Sequence, residues 1–180
     1  IILSWPIAGL FCGVIAFFIG KIALGLRSDY LAIATLGISE IIIYIIKNEE
    51  WLARGVKNVN GLPRPVPYEI DLQKNEFIQT ISNILNLSVI ESSSLIVKVL
   101  YSILFILVLL MIFFLLQKAI KSPWGRMMRA VRDNEISAEA MGINVKKRHL
   151  QVFIIGSAII GISGAMLTTL DGQFTPSSYQ

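Results

Sequence analysis

LIVKVLYSILFILVLLMIFFLL, residues 95–116, places one charge, Lys98, in a run long enough to cross a bilayer. A hydrocarbon core of about 30 Å takes about 20 apolar residues, because each residue of an α-helix advances about 1.5 Å. Every peptide group in that core must be bonded inside the segment, so such a run is a helix. Lys98 lies near one end, where its long stem lets the ammonium snorkel to the interface. Three more apolar runs surround this one, at about 1–20, 29–46 and 150–170. The second is short for a bilayer and recruits residues 28–30 or tilts little; Pro6 is tolerable near the start of the first. The chain is 54% hydrophobic and 16% charged, against about 25% charged residues in an ordinary soluble domain. The expected fold class is all-α, a polytopic transmembrane helical bundle. The chain starts IILSWPIAGL, with no initiator Met and no charged leader, and it is expected to be part of a longer polytopic protein.

Charge orders the loops. Residues 117–149 hold eight Lys/Arg and three Asp/Glu, whereas residues 47–94 hold five basic and six acidic residues. Lys and Arg in short loops mark the cytoplasmic side, so 117–149 is expected inside and 47–94 outside. Lys21 and Arg27 then also fall inside. The net charge of +4 is too unevenly spread for a nucleic-acid surface. Within the external region GLPRPVP is extended or turn-like, since Pro lacks an amide donor and restricts its predecessor. Phe77, Ile78, Ile81, Ile84 and Leu85 recur at helical spacing, which predicts a short amphipathic helix in a lid packed on the membrane part.

Inside the basic loop Ser122-Pro123 is a helix start, because Ser caps free amides and Pro suits the first helical position. Gly142 is a stop, since it accepts the left-handed conformation. Between them lie either one helix or two short ones broken near Asp133-Asn134. Met127, Met128, Val131, Ile136, Ala140 and Met141 are its apolar residues, and flexible Met side chains suit contacts that repack. Glu135, Ala138 and Met141, three residues apart, are expected on one face. The same residues also suit a helix lying on the lipid surface. Lys146, Lys147 and Arg148 read as a topology anchor against lipid headgroups. In the last apolar run Ser157, Gly161 and Ala165 share a face, a seam where two helices approach closely.

Glu40, with Thr35 and Ser39 nearby, is the one carboxylate well inside an apolar run. Such a group faces a bundle interior or a wet cavity; it is read as a helix tie first and as part of a path second. Cys12 is the sole cysteine, so no internal disulfide or multi-cysteine metal site exists, and it is read as a small buried hydrophobe. No catalytic grouping and no metal site is expected.

GRMMRAVRDNEISAEAMGINVKKRH, residues 125–149, closely resembles the cytoplasmic coupling loop of permeases in ABC importers for branched-chain and other neutral amino acids. SDYLAIATLGISEII (28–42) resembles the start of a span in that family, and ARGVKNVNGLPRP (53–65) its external segment before a proline pair. These matches cover most of 28–165 in order; residues 68–94 depart by being unusually long and polar. The resemblance implies a bundle with a cytoplasmic coupling helix, 134–142, seated in a cleft of an ATPase. Arg129, Asn134, Glu135, Ala138, Met141 and Gly142 are the residues expected to couple. It implies as partners cytoplasmic ATPase subunits, a sister permease subunit, an external substrate-binding protein and membrane lipid, with no nucleic acid. It also implies a multi-pass place in the bacterial plasma (inner) membrane. The chain has no G-x-x-x-x-G-K-[ST] phosphate loop, so ATP is expected on a partner and no cofactor here. Related permeases for urea or short amides look alike in this loop. A secondary carrier using Glu40 as a proton relay and a structural anchor subunit are the readings from other classes.

Overall fold

The computed structural model describes residues 1–25, 28–53, 59–73, 78–79, 82 and 88–174. Four long helices dominate: α1 (Ser4–Ala23), α2 (Ser28–Asn48), α5 (Val89–Lys121) and α8 (Val145–Asp171). All four are long and apolar enough to cross a membrane. Short helices α3 (Glu50–Ala53) and α4 (Glu69–Leu72) precede α5, while α6 (Pro123–Asp133) and α7 (Glu135–Ala140) lie between α5 and α8. Among the described residues the all-α bundle is interrupted only by two-residue strands, β1 (Val59–Asn60) and β2 (Gln173–Phe174), paired antiparallel with Val59 opposite Phe174.

α1 against α8 is the most extensive helix pair. Trp5, Gly9, Gly13, Ala16, Gly20 and Ala23 form the buried stripe of α1. They recur every three or four residues and so lie on one side of the helix. Small residues let the two backbones approach. A methyl group on Gly9 would sit 2.7 Å from Ile162 Cγ1 and 2.9 Å from the Ala158 carbonyl. One on Gly161 would sit 2.7 Å from Cys12 and 2.9 Å from the Ala8 carbonyl. The expected packing face at Gly161 is therefore the α1–α8 seam. Cys12 is half-buried there, less enclosed than expected of a core residue.

α2 is 21 residues long, the apolar run having recruited residues on both sides. It packs lightly on α1, and none of its apolar stretch is buried. α5, with 33 residues, is about 50 Å long at about 1.5 Å per residue. It continues past the expected 95–116 in both directions. Its start is fixed by a capping box, in which the Glu91 amide donates to Ser88 Oγ and the Ser88 amide donates to Glu91 Oε2 at 3.0 Å.

Residues 59–72 fold over the ends of α5 and α8. Val66, Val97 and Tyr101 make a buried cluster with Leu72 and Phe105 against it. The Tyr101 hydroxyl donates to the Thr169 carbonyl at 3.1 Å, and the Leu62 amide donates to the Gly172 carbonyl at 3.1 Å. Arg64 lies against Gly172, the left-handed cap of α8, and pairs with Glu69 at 3.5 Å. A guanidinium at the carboxyl end of a helix complements the partial negative charge there. Of the residues expected to form the amphipathic helix, Phe77, Ile81, Ile84 and Leu85 lie outside the described residues; Ile78 is helical and buried.

Candidate functional site

Between α5 and α8 the chain folds into a hairpin of two short helices, each begun by a polar side chain. Ser122 Oγ accepts the Gly125 amide, Asn134 Oδ1 accepts the Ser137 amide at 3.0 Å, and Asn144 Oδ1 accepts the Lys147 amide at 3.0 Å. Each satisfies one of the amides a helix start leaves free. The sequence left one helix or two open; the break is at Asn134, whose backbone is extended at φ −160° and ψ 105°.

α7 ends in a Schellman turn. The Ile143 amide donates to the Ala138 carbonyl at 3.0 Å and the Gly142 amide to the Glu139 carbonyl at 2.9 Å. That turn needs a left-handed residue, and Gly142 supplies it at φ +86°. The chain doubles back, so Ile143 packs on a buried cluster of Val131, Ala138 and Val145. One residue each from α6, α7 and α8 thus makes a small core. Polar bonds seat it on α8: Gln151 Oε1 accepts Trp124 Nε1–H at 2.9 Å and Arg148 Nη1–H at 3.0 Å. Arg148 Nη2 also reaches Met127 Sδ at 3.6 Å, and His149 Nε2 lies 3.5 Å from Glu135 Oε1.

These contacts divide the six expected coupling residues. Glu135, Met141 and Arg129 are exposed and available to a partner. Asn134 is a cap and Gly142 a turn, so both shape the surface without forming its centre. Ala138 is only 3% exposed, which corrects the expectation of a shared outward face with Glu135 and Met141. A three-residue step falls about 60° short of a full turn, so three such residues spread over about 120°; Met141, moreover, lies beyond the last helical residue. The outward apolar residues are Ile136 at 82% and Met141 at 84% exposed, flanked by exposed Glu135 and Glu139. Ile136 was read in the sequence as an apolar contact but not singled out for the site; its place two residues after the break at Asn134 was the available signal.

The other expected pair is not brought together as a tie. Thr35 Oγ1 donates to the carbonyls of Leu31 and Ala32 in its own helix, at 2.9 and 3.0 Å. Glu40 is exposed and makes no hydrogen bond or ion pair with another described residue. Among the described residues it therefore has no partner in a neighbouring helix. Among the described residues no group of His, Cys, Asp and Glu could hold a metal ion.

The family model for the branched-chain amino acid transport system permease component matches residues 1–180. The high-affinity branched-chain amino acid transport system permease protein LivM of Escherichia coli K12 is 30% identical over 177 residues, covering 97% of this chain and 41% of that protein. Its Salmonella typhimurium LT2 counterpart is 29% identical over the same length, with the same coverage. A probable LivM of Methanocaldococcus jannaschii is 38% identical over 64 residues, 36% of this chain and 18% of the relative. The chain thus spans about two fifths of the length of the first two relatives. No solved structure gives a significant match.

Proposed function

We propose, because this chain belongs to the branched-chain amino acid transport permease-component family, that it is part of the membrane-spanning subunit of an ATP-driven importer for branched-chain or other neutral amino acids. It is a multi-pass membrane protein with four helices suited to crossing. In the proposed role it lies in the bacterial inner membrane, makes no covalent chemistry and works by changing conformation. A sister permease would complete the path, an external binding protein would deliver substrate, and ATP would be hydrolysed on cytoplasmic ATPase subunits.

The observation that carries this reading is a family match over the whole chain. The hairpin supports it physically. Two apolar side chains stand exposed on an element stapled by its own core, which suits a rigid knob entering a partner's cleft. Moving such an element as a unit is hinge-type transmission. No observation favours a urea or amide importer, an ion-coupled carrier or a structural anchor.

The test uses the full-length permease assembled with its partners in membrane vesicles. Wild type should take up labelled leucine only when ATP is supplied on the ATPase side. Ile136→Asp should abolish uptake and release the ATPase on purification while membrane insertion is kept, because burying an unpaired charge is costly. Uptake driven by a proton gradient without ATP would refute the assignment.

A further inference from the structure

Where α5 ends and α8 begins, two grooves meet at Ser122. One, of about 390 Å³, lies between the helices and is walled by Ala119, Trp124, Ile154 and Ile155. The other, of about 480 Å³, follows α5 past Phe114, Lys118 and Lys121. The first is an open groove whose apolar wall is Ala119, Ile154, Ile155 and the Trp124 ring; the second carries two ammonium groups in the last turn of α5.

Most polar groups beside the grooves are already engaged or buried. Gln151, beside the first groove, has its carbonyl oxygen already taken by Trp124 and Arg148. The Ser122 hydroxyl donates to the Ala119 carbonyl at 2.6 Å. The Arg148 guanidinium keeps a buried Nε–H with no partner among the described residues. Lys118 and Lys121 are exposed and make no ion pair with a described residue. No carboxylate lines either groove, and the sequence has no Asp or Glu between Glu91 and Asp133. An occupant that uses both grooves therefore brings an anion to the lysines and an apolar limb to the wall of Ala119, Ile154 and Ile155.

We propose that this junction is a binding site for an anionic phospholipid, with its phosphate against Lys118 and Lys121 and one acyl chain in the α5–α8 slot. The inference needs α5 and α8 to cross the membrane but is independent of what the permease carries. A soluble anion would leave the apolar slot empty. A protein helix would satisfy the slot but leave the lysines uncompensated unless it also brought acid. The indole of Trp124 suits the level of the headgroups, where Trp concentrates, and basic pockets between helices at that level take anionic headgroups. The lipid would then brace the junction between the hairpin and α8 from outside.

The experiment takes the full-length permease in its assembled complex. Benzoyl-phenylalanine in place of Ile155, irradiated in native membranes, should give phospholipid adducts. Native mass spectra of the complex should keep phosphatidylglycerol in preference to phosphatidylcholine. Lys118→Gln with Lys121→Gln should lower that retention by about tenfold or more, taking the attraction usual for two surface cations. Lys118→Arg with Lys121→Arg, which keeps the charge, should preserve it. Adducts to protein at position 155 would show that another helix fills the slot and would overturn the proposal. So would equal retention of the two lipids, or loss of retention in the Arg pair with normal assembly.

Discussion

Gly161 and Gly164 lie three residues apart on α8 and face different surroundings. At Gly161 a methyl would meet Cys12 and a backbone carbonyl of α1, whereas nothing lies within 4 Å at Gly164. Gly161→Ala should therefore destabilise the full-length protein by about 1–3 kcal/mol, the usual cost of overpacking a fitted contact. Gly164→Ala should be neutral or slightly stabilising, since Ala outranks Gly in a helix by about 1 kcal/mol. Thermal midpoints from heated size-exclusion runs decide it; an equal loss at Gly164 would show that a helix beyond this segment lies on that face. The seam on α8 was legible in the sequence because Ser157, Gly161 and Ala165 repeat at four. Its partner stripe on α1 was present too, but every position of α1 except Lys21 is apolar or small, so hydropathy gave it no direction. Glu40 was less legible. An acid in an apolar run signals an internal partner, but which neighbour, if any, faces it depends on helices far away in the chain.

At the scale of elements, the hairpin separates two roles that the sequence had merged. The starts at Ser122 and Asn144 and the stop at Gly142 are set by local chemistry, and for that reason residue types alone reveal Ser122 and Gly142. The direction of Ala138 is not local. It follows from the Schellman turn, which folds Ile143 back and turns Ala138 toward Val131 and Val145. Ala138→Asp should then act by unfolding the hairpin, through an unpaired charge in its core, and limited proteolysis of the purified full-length protein should cut near 134–142 much faster. Ile136→Asp should leave the cleavage rate unchanged while weakening the ATPase contact. If the two variants proteolyse alike, the cluster is not what holds α7. Gly142→Ala makes the third member of the set. A left-handed conformation costs an L-residue about 1–2 kcal/mol, so cleavage should rise moderately, and less for Gly142→Asn, which tolerates that region better. A lid on the membrane part was expected, but its contacts were not legible, since Arg64 meets Gly172 and Val66 meets Tyr101 across long stretches of chain.

Across the whole molecule α8 is the connecting rod. Its 27 residues span about 40 Å, with the hairpin core and the Trp124–Gln151 bond at one end. At the other end are the β1–β2 pair, the Leu62–Gly172 bond and the Arg64 contact. α1 is zipped along the middle, so hairpin, rod and cap form one body with a surface at each end. Charge decides which surface faces inward. The hairpin region, 117–149, carries eight basic and three acidic residues, and the region holding the cap, 47–94, five and six; an excess of Lys and Arg marks the cytoplasmic side, so the hairpin end is proposed to face inward. Two exposed side chains report on the two ends: Met141 on the hairpin, 84% exposed, and Ile70 on α4, 70% exposed. In a Cys12→Ala background of the full-length protein, Ile70→Cys should react with an impermeant thiol reagent in intact cells. With the ATPase subunits left out of the expressing cells, Met141→Cys should react only after the cells are permeabilised. The reverse pattern would invert the bundle and move the hairpin away from any cytoplasmic ATPase. Labelling of both from outside would mean that α5, which joins the two regions, does not cross.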